Sequence, residues 1–147
     1  MAVRNAKATW TGTLKEGRGT MALGSGAFEG PFSFNTRMGD DPGTNPEELI
    51  GAALAGCFTM ALNAGLEKEG FKTNGIETDA RVNFGKDDAG FSITKIELKT
   101  EARVDGIEES EFQQIAEKTK SSCPVSKALT GTEIVLDATL IRSQAAG

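Results

Sequence analysis

The side chains best suited to nucleophilic and redox chemistry are Cys57 and Cys123, and the 147-residue sequence contains no histidine. That absence removes Ser-His-Asp and Cys-His hydrolases and most zinc enzymes, all of which depend on imidazole. A working thiol here must be held as a thiolate by arginine, lysine or a helix N-terminus. In a reducing cytoplasm a pair of cysteines reads as redox-active rather than as a permanent staple. The plainer alternative is that both are inert packing, the common fate of a cysteine in an apolar helix. Asp40-Asp41 and Asp87-Asp88 read as turn residues, because no imidazole is available to complete a metal site, and neither metal nor cofactor is expected. Gly17-Arg18-Gly19 reads as a hairpin turn rather than a phosphate loop, since no helix start follows it.

Cys57 lies in the middle of a predicted helix over residues 45–70. Asn45 can cap it, Pro46 suits the first helical position, and Glu48 completes a capping-box spacing. At the far end, Glu67-Lys68-Glu69 restores polarity and Gly70 can terminate the helix. Between Leu49 and Leu62 there is no charged residue. Such a run is too short to span a bilayer and predicts a helix buried on nearly every side, with Gly51, Gly56 and the alanines allowing close approach of neighbouring backbones. A chain of this length has few elements to cover such a helix, so a second copy of the chain is the expected cover. On an ideal helix Cys57 lies about 15 Å along the axis from Glu47, too far for the helix N-terminus alone to activate it.

Cys123 follows an amphipathic helix over residues 108–122, whose apolar stripe of Phe112, Ile115, Ala116 and Thr119 extends to the thiol and turns it inward. Pro124 disfavours helical geometry at Cys123, so one helix stops there and a short second one opens through Leu129. Strand periodicity appears at residues 6–14 (half-buried), 20–23, 31–36, 76–84, 91–104 and 133–142. The strand at 31–36 is expected to deliver Arg37 close to the start of the Cys57 helix. In the strand after the turn at 85–90, the apolar phase slips by one near Thr94-Lys95, which predicts a β-bulge. The tail at 143–147 is expected to fray.

The 21 acidic residues outweigh the 16 basic ones, and no basic cluster stands out. Nucleic acid is therefore not an expected partner. The N-terminus lacks the apolar core of a signal peptide and no transmembrane segment is expected, so the expectation is one cytoplasmic domain, residues 1–147, with no membrane association.

Five segments taken in order carry a resemblance: Phe34-Asn35-Thr36-Arg37; 43–53, from Gly-Thr-Asn-Pro-Glu-Glu; Ala55-Gly56-Cys57-Phe58; 88–96; and Cys123-Pro124-Val125-Ser126. The chain resembles the family of osmotically inducible and organic hydroperoxide resistance proteins, and the placement of Arg37 fits the osmotically inducible branch. The resemblance implies an α+β fold with antiparallel sheets around a central buried helix, in an intertwined homodimer whose active sites lie where subunits meet. It implies a thiol peroxidase acting on hydroperoxides, with Cys57 as the peroxidatic thiol, Cys123 as the resolving thiol, Arg37 as the stabilising cation and Glu47 as the carboxylate that holds it. A Cys57–Cys123 disulfide and an external dithiol reductant follow from the same comparison. Arg18 lies close to where the other branch carries its arginine and is the alternative cation. A second function class, a non-catalytic dimeric stress protein binding a small apolar ligand between subunits, leaves both cysteines as packing.

Overall fold

The computed structural model describes residues 2–142, so the tail at 143–147 lies outside the described residues. Ten elements follow in order: β1 (Ala6–Thr11), β2 (Arg18–Leu23), β3 (Glu29–Phe32), α1 (Phe34–Met38), α2 (Pro46–Lys68), β4 (Thr73–Asp87), β5 (Gly90–Val104), α3 (Glu109–Ser122), α4 (Pro124–Ala128) and β6 (Glu133–Ile141). They form two compact units that meet in the chain at Leu49 and Ile50.

In the first unit, β1, β2 and β3 make an antiparallel meander. Trp10 pairs with Gly19, and the Trp10 and Phe32 rings lie 5.4 Å apart. A Cβ on Gly19 would stand 2.6 Å from the Phe32 ring and 2.8 Å from that of Trp10, so the aromatic contact depends on a bare backbone. The alternation expected of β1 is present, but its burial is not. Every residue of the strand is exposed, and it lies at the edge of its sheet.

The strand expected over 31–36 stops at Phe32, and Arg37 sits on the short helix α1. Two local bonds override the alternating pattern: Ser33 Oγ accepts the Thr36 N–H at 3.2 Å, and Thr36 Oγ1 accepts the Ser33 N–H at 2.8 Å. This reciprocal box nucleates a helical turn where side-chain alternation alone suggests extension. Thr36 Oγ1 also donates to the Thr44 carbonyl at 2.7 Å, and the Thr44 N–H donates to Pro31 at 2.9 Å. The loop between α1 and α2 is thereby folded back onto β3. Gly43 makes that possible: at φ +147° its missing Cβ would fall 2.8 Å from the Pro31 carbonyl oxygen.

The second unit is a three-stranded sheet, ordered β4-β5-β6, with helices against it. β4 and β5 form a long antiparallel hairpin whose register jumps from Asn83↔Lys95 to Phe84↔Ile93, leaving Thr94 as the extra residue. That is the expected bulge, and it returns Ile93 and Ile96 to one face. β6 runs parallel to β5, so this sheet is mixed rather than antiparallel throughout. A parallel neighbour needs a crossover connection, and α3 with α4 supplies it.

Residues of α2 spaced for one helical face, Leu54, Phe58, Leu62 and Leu66, are fully buried in a core with Ile96, Leu98, Ala102, Val104, Phe112 and Ala116. Asn45 Oδ1 accepts the Glu48 N–H at 2.8 Å, the expected cap. Burial on nearly every side is not found within one chain: Met60 is 78% exposed, on the face opposite the core. The sheet and α3 cover one side only, and the sequence is apolar all round because it asks for more. With 23 residues, α2 as a whole is long and apolar enough to cross a membrane by length and composition, although its charge-free run is shorter. Its buried leucine face and the Glu47, Glu48 and Lys68 within its bounds are those of a core helix.

Phe58 lies wholly inside this core, adjacent in sequence to Cys57. Phe58→Ala is expected to destabilise the fold by about 3–5 kcal/mol through lost burial and the cavity left behind. Urea unfolding followed by circular dichroism should show a clearly lower midpoint; an unchanged midpoint would mean that this face is not the core.

Candidate active site

The four expected site residues form two local pairs, one in each unit. Arg37 and Glu47 make the first. Arg37 Nε donates to Glu47 Oε1 at 2.9 Å and to Oε2 at 3.2 Å, and Nη2 donates to Oε1 at 2.6 Å. This is a fork on a carboxylate, with the acid side chain only 9% exposed and the guanidinium 40% exposed. Glu47 stands in the first turn of α2, where the Asn45 cap bonds the backbone N–H of Glu48 and engages neither carboxylate. The carboxylate anchors the near edge of the guanidinium, and its charge remains partly open to the surroundings. Arg18, the alternative cation, lies on β2 opposite Thr11.

The second pair is the two thiols. Cys57, half-buried on α2, and Cys123, fully buried, are both free, and their sulfurs lie 2.7 Å apart. A disulfide bond is about 2.05 Å long, so only a small approach separates this contact from a covalent bond. Cys123 owes its place to the break that Pro124 enforces. It is the C-cap of α3 and the N-cap of α4, with extended backbone at φ −58° and ψ 129°. Its N–H still bonds back to Thr119 and its carbonyl accepts from Lys127, both at 3.0 Å, so the kink is tied on both sides.

The environment treats the two thiols differently. Burial pushes Cys57 up, the Cys123 sulfur adds to that, and the backbone N–H of Val125 opposes it only in part. For Cys123 burial is also the largest influence and acts against ionisation. The Cys57 sulfur, the backbone and side chain of Ser126 and the Val125 N–H together outweigh it, and the thiol is lowered. Within this unit the surroundings favour ionisation of Cys123 over that of Cys57. Converting Cys57 to a thiolate calls for a cation from elsewhere.

One residue of this centre carries no role in the sequence reading. Ser126 stands in the first turn of α4, 93% buried by its exposure of 7%, and it acts on the Cys123 sulfur. The signal for it lies in the segment Cys-Pro-Val-Ser, where a serine three residues after an N-cap falls back toward the cap. No group of three or more cysteine, aspartate or glutamate side chains that could hold a metal occurs among the described residues.

Fold and site define a small α+β protein with a paired-thiol centre. Residues 39–138 match the family model described as OsmC-like protein. The chain is 50% identical over 135 residues to the peroxiredoxin OsmC of Escherichia coli strain K12, covering 91% of this chain and 94% of that one. It is 33% identical over 138 residues to the organic hydroperoxide resistance protein of Xanthomonas axonopodis pv. citri, covering 92% and 91%. Among solved structures, an OsmC-like protein of unknown function from Vibrio cholerae superposes with a TM-score of 0.75 at 19% identity, covering 94% of this chain and 99% of that one. An organic hydroperoxide resistance protein from Elizabethkingia anophelis gives 0.73 at 28% identity, covering 95% and 99%. This chain belongs to the OsmC-like family, and its higher identity to peroxiredoxin OsmC agrees with the osmotically inducible branch.

Proposed function

We propose that this protein is a thiol-dependent peroxidase of oxidative stress defence that reduces organic hydroperoxides and also hydrogen peroxide. The observation that carries the reading is the 2.7 Å approach of the Cys57 and Cys123 sulfurs, which suits capture of an oxidised thiol without rearrangement. The Cys57 thiolate attacks the terminal peroxide oxygen, the O–O bond breaks, and an alkoxide leaves to be protonated to the alcohol, with a sulfenic acid remaining on Cys57. The Cys123 thiolate then attacks the Cys57 sulfur, and hydroxide departs and is protonated to water. The resulting disulfide is returned to two thiols by an external dithiol, which is itself oxidised.

Arg37 is the proposed cation, held in its fork by Glu47, from its own subunit or from a partner. A guanidinium at the thiolate favours ionisation and stabilises the charge that moves to the leaving oxygen. One catalytic domain spanning residues 1–147, assembled as a homodimer in the cytoplasm, completes the proposal. The exposed face of α2 at Met60 and the uncovered β1 support a second copy as cover. A reducing compartment supplies the dithiol.

Cys57→Ser is expected to abolish peroxide consumption in the presence of dithiothreitol while leaving the fold intact, whereas a dimeric binder with packing cysteines would lose nothing it does. Intact-mass spectrometry after excess cumene hydroperoxide separates the two thiols. The parent should lose two hydrogens, and Cys123→Ser should gain oxygens on Cys57. Equal oxygen gain in both proteins would remove Cys123 from the resolving role.

Arg37→Met should slow alkylation of Cys57 by iodoacetamide near pH 6.5 by roughly tenfold or more, with Glu47→Gln slowing peroxide reduction less. If Arg37→Met reacts like the parent and Arg18→Met does not, the cation belongs to the first hairpin.

Sedimentation equilibrium at micromolar concentration should return the mass of two chains. A monomer would leave α2 uncovered and contradict an interfacial site.

A further inference from the structure

The Ser126 hydroxyl is buried, and it meets no hydrogen-bond partner among the described residues. A buried orphan of this kind is rare in folded proteins, and a redox role is one of the explanations for it. Its position points to that role. Ser126 is the third residue after the N-cap Cys123, where a serine side chain falls back toward the cap, and its hydroxyl completes no hydrogen bond to the Cys123 sulfur. A thiol is a weak acceptor, whereas a thiolate is a strong one.

We propose that Ser126 is a positioning residue of the thiol pair, whose hydroxyl donates to the Cys123 sulfur when that sulfur is anionic and so sets how readily the Cys57–Cys123 disulfide is reduced. The inference rests on the peroxidase reading for its place in a cycle, but the bond it concerns can be made without peroxide. In the reductive step a dithiol thiolate attacks the Cys57 sulfur, the Cys57–Cys123 bond breaks, and its electron pair leaves on Cys123. The second thiol of the reductant, as its thiolate, then attacks the mixed disulfide, releasing Cys57 as a thiolate and the reductant as its cyclic disulfide. A leaving thiolate that is stabilised departs faster and makes the disulfide more oxidising. Cys123 is the sulfur suited to leave, because it caps the start of α4, whose first-turn residues Val125 and Ser126 favour its ionised form. The ionisable group facing it from a neighbouring element is Cys57 on α2, and the other influences on its charge are neutral dipoles of α4.

The test is a redox titration of the purified full chain, oxidised with diamide and equilibrated against mixtures of reduced and oxidised dithiothreitol, for the parent, Ser126→Ala and Ser126→Thr. At about pH 8.5 the Ser126→Ala equilibrium should shift toward the disulfide by roughly tenfold, which for a two-electron couple is about 30 mV more reducing. At about pH 5.5, where protonation competes with the hydroxyl for the Cys123 thiolate, the difference should shrink toward zero, and Ser126→Thr should follow the parent at both pH values. A serine that merely fills space would shift the equilibrium equally at both, and that result, or no shift at either, overturns the proposal. A second reading uses the single thiol. In a Cys57→Ser background, thiolate absorbance near 240 nm should show Cys123 titrating higher when Ser126 is alanine, and an unmoved titration also counts against the role. Failure of cumene hydroperoxide to oxidise the parent would strike the peroxidase reading instead, and would leave these two measurements standing.

Discussion

The arrangement of this molecule depends on a restriction at a single peptide unit. Pro124 excludes helical geometry at the residue before it, and that residue is Cys123. Without the proline, the apolar stripe of α3 would run on as one helix and Cys123 would be another core position on its inner face. With it, the chain turns at the thiol, and both helices remain bonded through the turn by the Thr119 and Lys127 contacts. The kink sets Cys123 at the start of α4, and Cys57 on α2 meets its sulfur at 2.7 Å. The leucine and phenylalanine face of α2 fixes the other partner, since Leu54, Phe58 and Leu62 lock the rotation of the helix about its axis.

The polar pair of Arg37 and Glu47 is built by a different rule. A carboxylate so little exposed would be costly alone, and the bidentate guanidinium compensates it. The helical turn that carries Arg37 is held by short-range hydroxyl bonds rather than by a core, and Thr36 serves both the turn and the return of the loop. A hydrophobic nucleus sets the thiols, and a hydrogen-bond network sets the ion pair.

This difference accounts for what could be read in the sequence. Long periodic segments declared themselves: the hairpin of β4 and β5, its one-residue slip at Thr94, the two helices divided at Cys123, and the Asn45 cap. Their signals are apolar periodicity or fixed capping chemistry, both local in the sequence. Residues 34–36 of α1 were misread as strand because the alternation over 31–36 carried no information about the Ser33 and Thr36 hydroxyls. The parallel direction of β6 was not legible, since an alternating strand looks the same in either direction. The burial expected for β1 and for the far face of α2 was inferred from composition, which reports what a surface requires and not which chain provides it. Ser126 was quoted within a motif without a role, since the Cys-Pro-Val-Ser spacing turns it toward the cap but does not show that its hydroxyl lacks a partner.

Because β6 lies parallel to β5, the segment from the end of β5 to the start of β6 is an excursion that leaves and re-enters the sheet at adjacent strands. Both of its ends are pinned by the ladder, so the sheet acts as a gauge for the length of chain between them. A one-residue slip of β6 would turn Ile134, Leu136, Ala138 and Leu140 to the opposite face, and the burial of those side chains rejects it. The position of the Cys123 sulfur is thus checked by strand pairing that begins ten residues downstream at Glu133.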